Sequence, residues 1–478
     1  LYLYKCVDGG QSLTCYYKFH VELYTTWGSS ECVMGISGIE KTVIPINRRI
    51  PAPSIQVCRG DRIVVDVINA AEGTEVSLHW HGIFQNGYQY YDGVPYLTQC
   101  PITSETTFRY NFVVENSGTH FYHSHQSVFM IDGQYGSLIV RDPPRLNPHR
   151  ILYDYDLIEH VIVMSDYFTE LSLSRYPGLR LHNVGQLAQY VLINGRGHQM
   201  VKKFFLFTVN PGKRYRFRVI NAFSTVCLAL FTIQSHSMLL IAQDGENIEP
   251  TEVGSVITAS GERFDIVVNA NQAVDNYWIQ VRALGECQKN NVQQHAVLKY
   301  RGAPQNPTTT PPPYNFQQSL GVLYNPLVAA QCPGPRLSDT VCINQLKAAQ
   351  AVPNDVIYRV DPDYRIVMDF QFYDYNDGTG GRKPFLHRNY TKNFVISVAL
   401  GRSHLLAEVN MISYENPPGS LTSQPEAYET ICKPTQLSTC TAPCICTQVY
   451  NIPLGALVEV ALFDTSNCIN HYAMTYLR

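Results

Sequence analysis

Two histidine pairs, His79-Trp80-His81 and His123-Ser124-His125, are the residues of this 478-residue chain whose spacing most suggests chemistry. Alternate side chains of an extended strand project to the same face, so each pair presents two imidazoles on one side. Two such strands side by side would bring neutral imidazoles together, and imidazole is a good ligand for copper, zinc or iron. One pair alone is a weak signal. Two pairs in strand-like surroundings favour a metal site over scattered surface or core histidines.

The surroundings of both pairs are typical of β-strands. Short β-branched runs bounded by Gly, Asn, Asp or Pro recur at 63–68, 108–114 and 136–140. A second block has strand-like runs at 201–209, 214–220, 227–233, 263–269 and 277–283. Helical candidates are few, and the best of them, 346–351, is short. The pattern predicts an all-β chain of consecutive sandwiches or barrels.

Composition shifts divide the chain into domains. Residues 1–38, with three cysteines among glycines and tyrosines, are expected to form a disulfide-tied extension outside the core. Residues 39–145 form a predicted first β-domain that carries the histidine pairs, and the prolines at 143, 144 and 148 mark its end. Residues 146–301 form a second β-domain. Residues 302–334 are read as a stiff proline-rich linker, and 335–478 as a third, incomplete β-domain.

The overall composition excludes several classes of protein. Only 16% of residues are charged, against about 25% in typical soluble proteins, and 45% are apolar, so a sizeable core is available. The net charge of −3 and the lack of a Lys/Arg block argue against nucleic acid as a partner. No apolar stretch reaches the roughly 18 residues of a membrane-spanning helix, so no membrane span is expected.

The 14 cysteines favour an oxidising compartment with up to seven disulfides, and therefore a secreted, extracellular protein. The glycosylation sequon Asn389-Tyr390-Thr391 agrees with a secreted glycoprotein. Cys432, Cys440, Cys444 and Cys446 lack the paired spacing and the histidines of a zinc site, so disulfides are the better interpretation. The chain begins at Leu1 rather than Met, which we interpret as a processed or fragmentary start.

Several segments resemble multicopper oxidases, specifically the insect-type laccases. They include Leu78-His79-Trp80-His81-Gly82, Tyr91-Asp92-Gly93-Val94-Pro95, Gly118-Thr119-His120-Phe121-Tyr122-His123-Ser124-His125 and Gly261-Glu262-Arg263-Phe264-Asp265. The resemblance implies three cupredoxin-like β-domains, a mononuclear type 1 copper in the third domain, and a trinuclear copper cluster between the first and third. It implies that His79 binds the type 2 copper, and that His81, His123 and His125 bind the type 3 pair. Asp92 is a candidate for proton delivery, because reduction of dioxygen consumes protons.

The resemblance breaks in the third domain. The family motif His-Pro-Phe-His-Leu-His-Gly is expected after the strand at 457–463, but the sequence there is His471-Tyr472-Ala473-Met474-Thr475-Tyr476. Only His471 fits, as a remnant type 1 ligand, and the family's later His-Cys-His segment is not in the sequence. Three explanations stay open: a C-terminal fragment or partner completes the domain, the sequence is incomplete or misread, or the chain is a diverged relative.

Two hypotheses about function follow. The first is a secreted laccase-like enzyme that oxidises phenols, catechols or ferrous iron in one-electron steps and reduces dioxygen to water, provided that the missing copper ligands exist. The second is a non-catalytic structural or binding protein of the same family with at most a partial copper site.

Overall fold

The computed structural model describes most of the chain: residues 6–7, 9–26, 40–175, 187–197, 204–225, 227–315, 321–327, 332, 338–351, 361–374, 383–384, 405–435, 444–464 and 472–477. Two compact units share these residues. The first unit comprises 1–95, 101–172 and 187–350, and the second comprises 96–100, 173–186 and 351–478. Strands dominate both units, and helical residues are few, such as the four-residue α-helix Ser172–Arg175. The predicted all-β class is confirmed.

The first unit begins with a β-sandwich that holds both histidine pairs. Its strands are β1 (Thr14–Val21), β2 (Tyr24–Thr26), β3 (Lys41–Val43), β4 (Ile55–Cys58), β5 (Arg62–Asn69), β6 (Leu78–His81), β7 (Thr107–Val113), β8 (Gly118–Ser124) and β9 (Tyr135–Arg141). One sheet has the order β1-β5-β7 and the other β4-β9-β8-β6, while β2 pairs with β3. Alternating burial explains the strands: Tyr110 and Phe112 of β7 are fully buried, whereas Thr107 and Arg109 are exposed.

A second β-sandwich follows in the same unit. Its strands are β10 (Val161–Tyr167), β11 (Tyr190–Ile193), β12 (Phe205–Val209), β13 (Arg214–Asn221), β14 (Leu228–Ile233), β15 (Met238–Gln243), β16 (Glu246–Val253), β17 (Ser255–Thr258), β18 (Arg263–Asn269), β19 (Asn276–Leu284), β20 (Gln293–Tyr300), β21 (Leu323–Tyr324) and β22 (Thr340–Val341). The sheet orders are β11-β10-β13-β18-β15-β16 and β12-β20-β19-β14-β17-β21-β22.

Each sandwich has its own hydrophobic core, and a third cluster joins them. This joining cluster includes Phe121 of β8, Ile139 of β9 and Ile220 of β13. Because the Phe121 ring stacks on His81 and His123, with centroids 4.5 and 5.0 Å apart, the packing of the two sandwiches continues directly into the predicted metal site.

The second unit contains one further sheet among its described residues. Its strands are β23 (Tyr364–Asp374), β24 (Lys383–Pro384), β25 (Leu405–Val409), β26 (Ile412–Ser413), β27 (Cys444–Ile445), β28 (Val458–Asp464) and β29 (Tyr472–Leu477). The sheet order is β27-β26-β25-β23-β28-β29, with β24 beside β23. The strand predicted at 457–463 is therefore present as β28. His471, Asn389 and Cys440 lie outside the described residues.

Two expectations about residues at the edges of the sandwiches differ from the structure. Residues 14–21, assigned to an extension outside the core, form β1, which pairs in parallel with β5 and buries Phe19 and Val21. The helix expected at 346–351 is wrong; Ile343–Gln345 is a single 3-10 turn and Ala348 forms an isolated bridge to Ile248. The residues form no helix because sheet edges nearby offer their backbone groups other partners.

The segment 302–334 is not a free spacer where the structure describes it. Its first part packs along β19: the Trp278 indole N–H donates to Thr309 Oγ1 at 3.0 Å, and the Tyr314 hydroxyl donates to the Ala283 carbonyl at 2.6 Å. Further on, 323–324 and 340–341 are strands β21 and β22 of the second sandwich. The second domain therefore extends past the predicted boundary at 301.

Four disulfides join described cysteines: Cys6–Cys58, Cys227–Cys287, Cys332–Cys342 and Cys432–Cys446. The prediction of disulfides at the C-terminal cysteine cluster is confirmed for Cys432 and Cys446.

Among the described residues, no helix is long and apolar enough to cross a bilayer.

Candidate metal centre

Pairing of β6 with β8 brings the two histidine pairs together. The strands are antiparallel, with His79 directly opposite His123 and His81 opposite Phe121. These four side chains share one face of the sheet, because alternate residues point the same way. Trp80 and Tyr122 point to the other face and are fully buried in the core of the first sandwich. The predicted projection of two imidazoles from each strand is thus observed.

The four imidazoles form a compact group with His79 in contact with the other three. Its ring centroid lies 5.6 Å from that of His81, 5.5 Å from that of His123 and 5.5 Å from that of His125. His125 follows the last residue of β8, and its backbone N–H donates to the Ser77 carbonyl at 3.1 Å, which extends the ladder by one residue. All the first-domain histidines predicted to bind metal therefore lie together.

Ring nitrogens of His79, His81 and His123 lie within 4.8 Å of one another. The closest approach is between His81 Nδ1 and His123 Nε2, at 3.2 Å. Two nitrogens that bind one ion at about 2.0–2.1 Å with a tetrahedral angle are about 3.3 Å apart. The separation observed therefore fits two lone pairs directed at a single cation.

A turn after β6 orients His79. His79 Nδ1 lies 2.8 Å from the Asp92 carbonyl oxygen and 3.3 Å from Asp92 Oδ1. A carbonyl only accepts, so Nδ1 carries the proton and Nε2 is left as the ligand atom. The close approach requires a glycine at 93, because a Cβ there would lie 1.8 Å from the Leu78 carbonyl oxygen at a φ of +84°.

The same reasoning assigns the donor atom of His123. Its Nδ1 lies 2.9 Å from the Ser124 carbonyl, to which it donates, so Nε2 faces the other histidines with its lone pair. His81 differs, since it is Nδ1 that faces His123. The carbonyl contacts fix the tautomers of His79 and His123, so both present Nε2 as a preorganised donor.

The protein surroundings keep the rings of His81, His123 and His125 neutral, which is the form that binds metals. Burial first, and then the charge of Arg263 and the neighbouring rings, lowers the pKa of His81 to about 2. Burial and the adjacent His79 lower the pKa of His123 to about 3. The same causes lower the pKa of His125. Protons therefore do not compete with a cation for these nitrogens near neutral pH.

The second sandwich supplies residues that sequence reasoning did not assign to the site. Arg263 of β18 is buried, and its Nε donates to the carbonyl of Thr119 in β8 at 3.1 Å. Its Nη2 donates to the Asp244 carbonyl at 2.8 Å. The segment that contains Arg263 was noted only for its resemblance to a family motif, and nothing local in the sequence connects it to β8.

His120 is outside the group, as its position in the sequence suggested. It lies on the opposite face of β8 from Phe121 and His123, and it is 1% exposed. Its Nε2 donates to the Ser117 carbonyl at 3.2 Å, which confirms a hydrogen-bonded structural residue.

The predicted type 1 remnant His471 lies outside the described residues and stays a prediction.

Comparison with known proteins decides the family. Two models described as "Multicopper oxidase" match residues 29–145 and 159–303, which together are more than half of the chain. The chain belongs to the multicopper oxidase family. The donor set described above fits the copper that such proteins bind, since imidazole nitrogen is a good copper ligand.

Laccases are among the relatives of this multicopper oxidase. It is 35% identical over 308 residues to a laccase of Trametes maxima, an alignment that covers 62% of this chain and 60% of the relative. It is 36% identical over 301 residues to Laccase-2 of Pleurotus ostreatus, covering 61% of this chain and 54% of the relative. The chain thus matches between half and two thirds of the length of these laccases. The insect-type resemblance stays a prediction.

Solved structures show the same fold. Fet3p, described as a multicopper oxidase that functions in iron import, superposes with a TM-score of 0.67 over 94% of this chain and 73% of its own, at 20% identity. The laccase of Botrytis aclada superposes with a TM-score of 0.63 over 96% of this chain and 73% of its own, at 22% identity. The cupredoxin-like architecture predicted from the sequence is therefore confirmed.

Proposed function

We propose that this multicopper oxidase is a secreted, laccase-type enzyme that oxidises phenols, catechols or ferrous iron in one-electron steps, provided that the copper ligands expected in the third domain exist in the natural chain. The observation that carries the proposal is the convergence of His81 Nδ1 and His123 Nε2, 3.2 Å apart, beside His79 in a half-buried group. Copper bound there would accept electrons singly and deliver them to dioxygen, which is reduced to water. The paired disulfides support secretion.

The donor atoms suggest how the four histidines divide the metal. His81 and His123 would hold one copper of the type 3 pair through the two converging nitrogens. His79 would present Nε2 to the type 2 copper, since Asp92 holds its other nitrogen. His125 lies beside His79, with ring centroids 5.5 Å apart, and would hold a further copper.

Asp92 is the residue that we propose for proton delivery. Its carboxylate lies 3.3 Å from His79 Nδ1 and its side chain is 29% exposed, so it reaches both the site and solvent. A carboxylate in that position can take protons from water and pass them towards the site, where dioxygen reduction consumes them. The contact with His79 would meanwhile keep that ring oriented.

The test is copper content together with oxygen consumption. The purified chain is loaded with Cu²⁺, dialysed and analysed for metal, and oxygen uptake is followed with a catechol and with Fe²⁺. The proposal expects bound copper and oxygen uptake, and loss of copper in a His81→Ala/His123→Ala variant. His236→Gln is the matched control, because His236 is also a histidine shielded from water, at 2% exposed, but hydrogen-bonds Tyr300 in the second sandwich.

Two results would contradict the proposal in different ways. Equal copper content in the wild type and the His81→Ala/His123→Ala variant would mean that these histidines do not hold the metal. Copper bound at the histidines without oxygen uptake on either substrate would contradict the enzyme hypothesis. It would favour a copper-binding, non-catalytic member of the family.

A further inference from the structure

The imidazole of His81 is turned the opposite way from its neighbours. His79 and His123 use Nδ1 to donate to the carbonyls of Asp92 and Ser124, which leaves Nε2 for a metal. His81 directs Nδ1 to the site, so its Cε1–Nε2 edge faces outward. The ring must also be held in place within its plane, because a shift of the ring would move Nδ1 away from His123 Nε2.

Stacking fixes the plane of the His81 ring but not the position of the ring within that plane. The ring lies on Phe121, with centroids 4.5 Å apart and an interplanar angle of 26°. Phe121 is 1% exposed and belongs to the cluster that joins the two sandwiches. A stacked ring can slide or rotate within its plane at little cost, so the orientation of His81 needs a second contact at its outer edge.

A turn of the second sandwich provides that contact. Gly261, which lies just before β18, has a φ of +83°, and a Cβ built there would lie 2.9 Å from His81 Cε1 and 3.4 Å from His81 Nε2. Non-bonded carbon atoms pack best at about 3.5–4.0 Å. The bare backbone of Gly261 therefore fits against the outer edge of the ring, and a larger residue would displace the ring.

Three hydrogen bonds hold the turn, so its backbone cannot move away from His81 easily. The Gly261 N–H donates to the Asn221 carbonyl at 2.9 Å, and its carbonyl accepts from Arg263 Nη1 at 3.0 Å. The Ala259 N–H donates to Glu262 Oε2 at 2.7 Å across the turn. An added methyl group at 261 would thus be relieved by movement of the His81 ring rather than of the backbone.

We propose that Gly261 of the second sandwich is a positioning residue that fixes the place of the His81 imidazole within its plane and so keeps Nδ1 close to His123 Nε2. The second sandwich thereby completes the shape of a metal site whose donors, among the described residues, belong to the first. The consequence for copper rests on the proposed function, whereas the contact between Gly261 and His81 does not.

The test compares two alanine substitutions at glycines of the second sandwich. Gly261→Ala adds a methyl group against His81. Gly212→Ala is the matched control, because Gly212 also has a positive φ, +74°, but a Cβ there would meet no atom within 4 Å. Both variants carry the backbone strain of alanine at positive φ. Only Gly261→Ala carries the clash with the ring.

Two measurements separate positioning from a general loss of stability. In equilibrium dialysis with Cu²⁺, Gly261→Ala is expected to bind copper about 10–100-fold more weakly than Gly212→Ala, as for other residues that orient a metal ligand. In thermal unfolding without copper, His81→Ala is expected to restore the midpoint of Gly261→Ala to that of Gly212→Ala, because removing the ring removes the clash.

The outcomes distinguish this inference from the proposed function. Equal copper affinity in the two glycine variants, or no recovery by His81→Ala, would overturn the role of Gly261. If Gly261→Ala alone does not fold, folding of the Gly261→Ala/His81→Ala protein supports the role and its failure to fold contradicts it. A wild type that binds no copper would refute the proposed function. The thermal unfolding of Gly261→Ala with and without His81→Ala would still show whether Gly261 contacts the His81 ring.

Discussion

Asp265 anchors the first sandwich to the second through a buried ion-pair network, and its replacement by asparagine should destabilise the unit strongly. The Asp265 side chain is 1% exposed. Its carboxylate accepts from Arg216 Nε at 2.9 Å and from Arg218 Nη1 at 3.2 Å. It also accepts from the hydroxyl of Thr119 in β8 at 2.6 Å, so the network reaches the strand that carries His123.

The magnitude follows from the charge that the substitution leaves behind. Asp265→Asn keeps the shape of the side chain but removes the negative charge beside two guanidinium groups that are 5% and 3% exposed. Asp156, paired with Arg218 at 2.6 Å, cannot compensate both cations. Breaking a buried pair in this way costs about 3–5 kcal/mol. For a domain of this size, that loss corresponds to a melting point lower by about 6–20 °C.

The assay is thermal unfolding of wild type, Asp265→Asn and a matched surface variant, Asp154→Asn. Asp154 also pairs with an arginine of β13, Arg214, at 2.9 Å, but the two side chains are 33% and 40% exposed. Water screens that pair, so its loss should change the melting point far less. Equal shifts of the melting point in the two variants would refute the reasoning. They would mean that burial does not increase the contribution of the Asp265 ion pairs to stability.

Three further predictions concern the same unit. Replacing Cys227 and Cys287 by serine opens a loop of 60 residues and should lower the free energy of unfolding, measured in urea, by about 4 kcal/mol; no loss would contradict the constraint. Burial lowers the pKa of His120 to about 3 from 6.5, so the unfolded state binds the extra proton and stability rises with pH between these values. His120→Gln should therefore reduce the slope of stability against pH by up to about 1.4 kcal/mol per unit, and an unchanged slope would contradict the assignment. Asp92→Asn should keep its copper, because the backbone carbonyl still orients His79, but should slow oxygen consumption about 100-fold or more; an unchanged rate would exclude proton delivery by Asp92.

The metal site was predictable from the sequence where the signal is local. The two-residue period of a strand sets which face a side chain occupies, so His79-x-His81 and His123-x-His125 already indicate paired imidazoles. The same period was present in residues 14–21, where Phe19 and Val21 alternate with exposed Lys18 and His20. It could have identified β1 as a core strand, but the tyrosines and cysteines around it suggested an extension.

The rest of the site depends on contacts between distant parts of the chain. Arg263 and Thr119 are 144 residues apart, and only the packing of two sandwiches brings them together. Gly261 carries no chemistry of its own, so its contact with His81 is visible only in three dimensions. Proline content likewise predicted an extended course for 302–315 without indicating that Tyr314 would hydrogen-bond β19.

Anomalous diffraction at the copper absorption edge, from crystals of the copper-loaded chain, tests the central claim most directly. We expect a copper peak between His81 Nδ1 and His123 Nε2, about 2.0–2.1 Å from each nitrogen, and a second peak near His79 Nε2. Copper at other residues of the protein, with no peak within bonding distance of these nitrogens, would contradict the account.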